Sequence, residues 1–322
     1  MNTAITKMFN ITFPFVCGTM MNITNAEFVA AVSDAGGLGI LASTLYDDKE
    51  SFQDALKTIK DRTDKPFAVN LNLFPAIRPV DNDALMEVIL EEGVKIVETS
   101  GARAPDDIIN RLKPEGVKLM HKCVGVRYAV KVAALGVDAV TVVGFENGGA
   151  TGMLDITTLC LVPAVVNAVD VPVIGGGGVS TGHAIAAILS LGAEAVIMGT
   201  RLLLTEECPI HDNLKNALLS SKETDTTLIM RSFKNTHRCL INETVLKVQE
   251  LEKENAPIEK VLPFIAGDES KKMIQEGDLS SGYISCGQGV GQISKVMPVK
   301  ELFLELAEEL KASNQRVNQM LN

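Results

Sequence analysis

The chain contains no tryptophan and only 3 tyrosines. So few large aromatic rings argue against a carbohydrate cleft or a surface that stacks nucleobases. A basic surplus is missing too: 30 Lys and Arg stand against 40 Asp and Glu, a formal net charge of −10. Neither nucleic acid nor an anionic membrane is therefore an expected partner. The 6 cysteines (Cys17, Cys123, Cys160, Cys208, Cys239, Cys286) form no CxxC pair and share no ligand spacing with the 4 histidines. No metal site is expected, and scattered thiols in a long chain suit a reducing compartment. No run approaches the roughly 18 apolar residues of a membrane-spanning helix. The opening MNTAITKMFNITFPFVCGTMM has neither the charged start nor the long apolar core of a signal peptide. The expectation is a cytoplasmic protein without low-complexity segments.

What is present is a regular beat. Eight short apolar runs alternate with amphipathic stretches: FPFVCG (13–18), GLGILAS (37–43), PFAVNLNL (66–73), VKIVETSG (94–101), VKLMHKC (117–123), VDAVTVVG (137–144), VPVIGGGG (171–178) and AEAVIMGT (193–200). Runs this rich in Val and Ile read as strands buried on both faces, as in parallel sheets. The intervening segments carry helix signals, such as Asn25 as an N-cap and Gly36 as a stop. Eight β–α beats in 322 residues predict a (β/α)₈ TIM barrel, with an open doubly wound sheet as the alternative. Beyond Thr205 the beat stops. Residues 209–296 read as a helical cap, and the last amphipathic stretch rejoins the barrel, which then comprises 1–208 plus 297–322.

The four glycines of VPVIGGGGVSTG pose the central question, because glycine loses more backbone entropy on folding than any other residue. They follow the seventh run, and MGTRLLL follows the eighth. In barrels these two loops often bind phosphate through bare backbone N–H groups. Gly176, Gly177, Gly178, Gly199 and Thr200 are the candidates; tight turns and close helix–strand packing are the alternative reading. A strict GxGxxG is absent, which disfavours a Rossmann nucleotide unit. Lys122 is a charge inside KLMHKC and needs a partner if buried.

Taken together the motifs resemble the nitronate monooxygenase family (2-nitropropane dioxygenases), with its related NADH:quinone reductases and flavin-type enoyl-ACP reductases. The quinone-reductase branch looks nearest. The resemblance rests on AVNLNLFP (68–75), VETSG (97–101), GVKLMHKC (116–123), GVDAVTVVGFE (136–146), MGTRLLLTEECPIH (198–211), LIMRSFKNT (228–236) and the late GYISCGQGVGQI. It implies non-covalently bound FMN. Gly18, Thr19 and Met20 would line the flavin ring, Asn72 and Lys122 would contact the ring or ribityl region, and Gly148 would contact the ring. Gly176, Gly177, Gly178, Gly199 and Thr200 would then cradle the phosphate, and Lys122 would stabilise negative charge on reduced flavin.

The chain departs from the family in two places. CGTM stands where QGGM is typical. In GFENGGATG (144–152), Ala150 occupies the place where the family usually carries a histidine. An alanine accepts no proton, so nitroalkane deprotonation at this residue is excluded. The catalytic residue is therefore unknown, with His121, Glu146 and Asn147 as weak candidates. His183, His211 and His237 read as capping or surface residues, and Arg231 as a salt-bridge partner that fixes the cap. Ser285 and Gln288 lie in a glycine-rich loop that could close over a flavin.

These observations favour an NAD(P)H-dependent FMN reductase that passes hydride to a quinone, an enone or an enoyl thioester. The alternatives are a nitronate monooxygenase acting on preformed nitronates with O₂, a flavin-free barrel binding a phosphorylated metabolite, and a flavin-binding protein without catalysis. The partner is a small molecule, NADH or NADPH is the electron donor, and a homodimer is left open.

Overall fold

The computed structural model describes residues 1–74, 81–101 and 103–322, with only the backbone of Asp268. Pro75, the last residue of AVNLNLFP, lies outside them. In chain order the strands are β1 (Phe15–Cys17), β2 (Gly39–Ala42), β3 (Phe67–Asn72), β4 (Ile96–Ser100), β5 (Lys118–Cys123), β6 (Ala139–Val143), β7 (Gly149–Ala150), β8 (Val173–Gly176), β9 (Ala195–Met198), β10 (Thr226–Ile229) and β11 (His237–Leu240). Each of the eight apolar runs holds one strand of an eight-stranded sheet, ordered β1-β9-β8-β6-β5-β4-β3-β2. Its neighbours pair in parallel. A parallel bridge, Val16↔Leu38, joins the two outer strands. There the Cys17 N–H donates to the Leu38 carbonyl and the Leu38 N–H to the Phe15 carbonyl, both at 2.9 Å. The sheet closes, and the open-sheet alternative is excluded.

Strand alternation sorts each side chain to one of two cores. Val16, Ile40, Ala68, Ile96, Met120, Ala139, Ile174 and Ala195 fill the barrel interior. Their sequence neighbours Phe15, Leu41, Val69, Val97, Leu119, Val140, Val173 and Val196 point outward into the larger core shared with the helices. The first helix, Ala4–Phe9, stoppers the N-terminal end of the barrel. Ile5 and Phe9 join the inner cluster, and the Ala4 N–H donates to Glu194 Oε2 at 2.7 Å, just ahead of β9.

The helix signals hold locally. Asn25 caps Ala26–Asp34 by accepting from the Phe28 N–H, and Gly36 follows at φ 93°. After β9 the chain leaves the barrel and returns as the long helix Val299–Leu321. Phe303 on that helix meets Phe15 edge-on, with ring centroids 5.3 Å apart. Gly182, at the start of the helix Gly182–Ser190, donates its N–H to Glu309 Oε2 at 2.6 Å. The last helix thus completes the outer ring.

The segment read as purely helical differs from that expectation. Among its helices, β10 and β11 form an antiparallel hairpin, and β11 also pairs with β7. The strands are only TTLI and HRCL, too short and too polar to show a period in sequence. Their stability comes from a small core of their own: Ile229, Met230, Cys239, Val245, Val248 and Val261. Among the described residues no helix is long and apolar enough to cross a membrane, and no group of three or more His, Cys, Asp or Glu could hold a metal ion.

Candidate active site

A cavity of ≈ 320 Å³ opens at the C-terminal ends of the strands, where barrel active sites lie. Its floor is built by parity. Ala68, Ile96 and Met120 face inward, so the residues two and four further along β3, β4 and β5 face inward too, nearer the mouth. Asn70, Asn72, Ser100 and Lys122 accordingly line the cavity. Asn72 Oδ1 accepts from the Phe74 N–H at 2.9 Å, which turns the chain away after β3.

Beneath them lies Glu98, fully buried. Its Oε2 accepts from Thr19 Oγ1 at 2.8 Å and from Asn70 Nδ2 at 2.7 Å, and Lys122 Nζ stands 3.7 Å away. The expected partner of Lys122 is therefore this carboxylate. Glu98 and Asn70 were not singled out in the sequence, although each falls two residues before an inward polar residue, and that period was the available signal. Gly18, Thr19 and Met20, from the CGTM turn after β1, form the adjacent wall.

The four glycines divide by role. An added Cβ on Gly175 would meet Ile188 Cγ2 at 2.7 Å, on the outer helix layer. One on Gly176 would meet Ile197 Cγ2 at 2.4 Å inside the barrel. These two serve close packing, and neither lines the cavity. Gly177 and Gly178 do line it, at φ +108° and +72°, in the left-handed region. A Cβ on Gly178 would meet nothing nearer than Glu146 Cβ at 3.4 Å, and on Gly199 nothing nearer than Met20 Sδ at 3.7 Å. Ser180, missed in the sequence, also lines the cavity, and its buried Oγ has no hydrogen-bond partner. Thr200 lines it as well, and its Oγ1 accepts from the Gly287 N–H at 2.9 Å. Gly148 is pressed against the late loop, where a Cβ would lie 2.8 Å from Gly287 N.

The weak catalytic candidates separate. His121 points outward from β5, fully buried, with Nδ1 2.7 Å from Thr99 Oγ1 and its ring edge-on to Tyr128. Burial, with Lys122 as the lesser cause, lowers its pKa to about 4. It is a neutral core histidine, outside the cavity. Glu146 Oε2 accepts from the Thr158 N–H at 2.9 Å and from Thr158 Oγ1 at 2.8 Å, holding the start of the helix Thr158–Val166. It does not line the cavity. Asn147 does, together with Gly148 and Ala150.

Of the remaining histidines, His183 is exposed and His211 caps the helix Asp212–Leu219. His237 differs from its surface expectation: it lines the cavity, and burial lowers its pKa to about 4. Arg231 makes a paired contact to Asp155, at 2.9 and 2.7 Å, tying the segment after β10 to the loop after β7. Ser285 lines the cavity, whereas Gln288 turns its N–H to the Glu146 carbonyl at 3.0 Å. Burial pushes the thiols of Cys123, Cys208, Cys239 and Cys286 up to about 12, so none of these supplies a thiolate nucleophile at neutral pH.

Comparison with known proteins places this geometry in context. The family model for nitronate monooxygenase matches residues 2–309. The (3aS,4S,5R,7aS)-5-hydroxy-7a-methyl-1-oxo-octahydro-1H-indene-4-carboxyl-CoA dehydrogenase of Rhodococcus jostii (strain RHA1) is 38% identical over 248 residues, covering 76% of this chain and 67% of that protein. A probable nitronate monooxygenase of Staphylococcus saprophyticus is 29% identical over 295 residues, covering 79% and 82%. Among solved structures, FabK from Thermotoga maritima superimposes with a TM-score of 0.92 at 32% identity, covering 99% of each chain. Nitroalkane oxidase from Streptomyces ansochromogenes gives 0.81 at 26% identity, covering 98% of this chain and 100% of that one.

Proposed function

The chain belongs to the nitronate monooxygenase family of flavin-dependent oxidoreductases, and on that premise we propose that it is an FMN-dependent reductase. It takes hydride from NADH or NADPH and delivers it to an enone or enoyl thioester, with a quinone as the simpler acceptor. Membership of a flavin family sets aside the flavin-free barrel.

The observation that carries FMN is the pair Gly178 and Gly199 in the cavity lining. Both lack a Cβ where one would meet nothing closer than 3.4 Å, and Ser180 Oγ stands buried and unpartnered at the same wall. A buried hydroxyl without a partner costs free energy that a phosphate oxygen would recover. The residues fit the group: Gly177, Gly178, Ser180, Gly199 and Thr200 would hold the phosphate. Gly18, Thr19, Met20, Asn72, Lys122 and Gly148 would hold the ring and ribityl chain. Gly176 supports this loop by packing.

When bound, FMN supplies hydride acceptance and donation. The chain's own residues do the rest. Lys122 presents a positive charge to the cavity, where developing negative charge is stabilised most effectively in a partly dry site. Glu98 anchors that ammonium from below. We take residues 209–296 as the unit that covers the mouth, since Ile274, Tyr283 and Ser285 reach the cavity from it. Ala150 offers no base, so the chemistry favoured is one in which the acceptor enters ready to receive hydride.

The thioester acceptor is supported by the CoA dehydrogenase and FabK likenesses. Oxidation of a preformed, anionic alkyl nitronate with O₂ is the second reading, supported by the Lys122 charge in the cavity and by relatives of that name. Anaerobic mixing separates the two. Bleaching of the flavin by NADH or NADPH, followed by reoxidation with crotonyl-CoA, is the expected result. Bleaching by propyl nitronate but by neither nicotinamide would transfer the assignment to the monooxygenase.

A further inference from the structure

Ala150 sits in β7, directly across an antiparallel ladder from His237 in β11. Side chains of such opposed residues start about 5 Å apart on the same face, and both residues line the cavity. β11 thus sets an imidazole beside Ala150 at the cavity wall. The His237 ring meets Tyr283 edge-on, centroids 6.4 Å apart and planes at 89°, which steadies its orientation. Its Nδ1 is buried without a hydrogen-bond partner.

Asn147 adds a second such atom. Its amide nitrogen donates to the Gly148 carbonyl at 2.8 Å and to the Ala150 carbonyl at 3.1 Å. Two carbonyl acceptors determine which end of the amide is nitrogen. Oδ1 is then left buried and unpartnered. Both orphan atoms belong to residues tied to Ala150, one by the ladder and one by its carbonyl.

We propose that His237 and Asn147 form a polar subsite that hydrogen-bonds a hydroxyl on the acyl part of a thioester substrate. The amide oxygen only accepts, while an imidazole nitrogen donates or accepts according to tautomer. A hydroxyl does both and satisfies the pair; a methylene satisfies neither. Burial keeps the ring neutral near pH 7, so His237 binds rather than takes up a proton. A site with buried polar groups rejects the analogue that leaves them unpaired. The inference deepens the proposed function and rests on its thioester reading.

The test uses the full flavin-loaded chain, oxidised, and reads ligand binding from the perturbed flavin absorbance without turnover. The probes are 3-hydroxybutyryl-CoA and butyryl-CoA. Wild type should bind the hydroxy thioester about tenfold or more tightly than its parent. His237→Phe, which keeps a ring against Tyr283, should erase that preference, and His237→Gln should restore part of it. In wild type, the hydroxy thioester alone should shift the nitrogen NMR resonance of His237, a readout that needs no variant to fold. No preference in wild type, failure of both thioesters to bind included, or an undiminished preference in His237→Phe overturns the subsite. Anaerobic bleaching by NADH or NADPH, each tried in turn, is read on the same samples. Its absence with the preference intact removes the reductase reading and leaves the subsite; its presence without the preference does the reverse.

Discussion

Replacing Glu98 tests whether the cavity floor is held by hydrogen-bond geometry or by charge. Glu98 is fully buried, and Oε2 receives two short bonds, from Thr19 at 2.8 Å and Asn70 at 2.7 Å, besides the ammonium at 3.7 Å. Its other oxygen, Oε1, is buried with no donor. In Glu98→Ala the Lys122 ammonium, whose side chain is only 20% exposed, loses its ion pair, and the Asn70 amide keeps only the longer bond to Ser100 Oγ at 3.2 Å. A bond to a charged acceptor is worth about 1.5–3 kcal/mol. Breaking a buried pair from one side costs about 3–5 kcal/mol. Thr19 and Lys122 reach the cavity and can recruit water, so the lower end applies: about 3 kcal/mol. Glu98→Gln keeps an acceptor at the Oε2 position and places its NH₂ where Oε1 already lacked a partner. It weakens two bonds to neutral strength but relieves the burial of a charge, for a net cost of about 1 kcal/mol. Urea unfolding of the flavin-free protein, followed by circular dichroism, measures both as midpoint shifts at unchanged slope. Equal losses for Gln and Ala, or a negligible loss for Ala, would refute the reasoning.

Gly199→Ala should leave stability within about 0.5 kcal/mol, because the new methyl meets only Met20 Sδ at 3.7 Å, yet weaken FMN about tenfold by narrowing the cavity; equilibrium titration and thermal melting together check this. Gly177→Ala should instead destabilise the fold by about 3 kcal/mol, since its Cβ would lie 2.4 Å from Thr158 Oγ1 at φ +108°; a melting temperature equal to that of Gly199→Ala would contradict it. Acid should cost stability through His121, lowered from 6.5 to about 4. Both states are neutral above pH 6.5, but between 6.5 and 4 the unfolded chain binds a proton that the folded chain refuses, a loss of up to about 3 kcal/mol. Because His237 is lowered in the same way, His121→Gln should roughly halve the slope of that part of the stability–pH curve, and an unchanged slope would disprove the burial argument. Arg231→Ala should leave stability nearly unchanged, because its pair with Asp155 is exposed and screened by solvent; a double-mutant cycle with Asp155→Ala measures the coupling.

The barrel was legible in the sequence because its cause is local and repeated. Eight Val- and Ile-rich runs, each followed by an amphipathic stretch, leave few ways to bury their apolar faces. The family motifs and the lysine inside KLMHKC were equally plain, and so was an alanine, which offers no base, at position 150. What one-dimensional order hid was direction and pairing. His121 and Lys122 are adjacent in β5, yet one points into the helix layer and the other into the cavity, because successive residues of a strand face opposite sides. The four glycines looked alike, but only the packed neighbours separate Gly175 and Gly176, which let side chains close in, from Gly177 and Gly178, which turn the chain at the cavity. His237 read as a surface residue of a helical cap. A short hairpin with too few residues to show a period carries it to Ala150, 87 positions earlier in the chain (237 − 150). Local pattern determines which elements form and what they bury; only closure of the barrel and docking of the later segment decide which polar groups share a wall, since that depends on contacts between residues far apart in the chain.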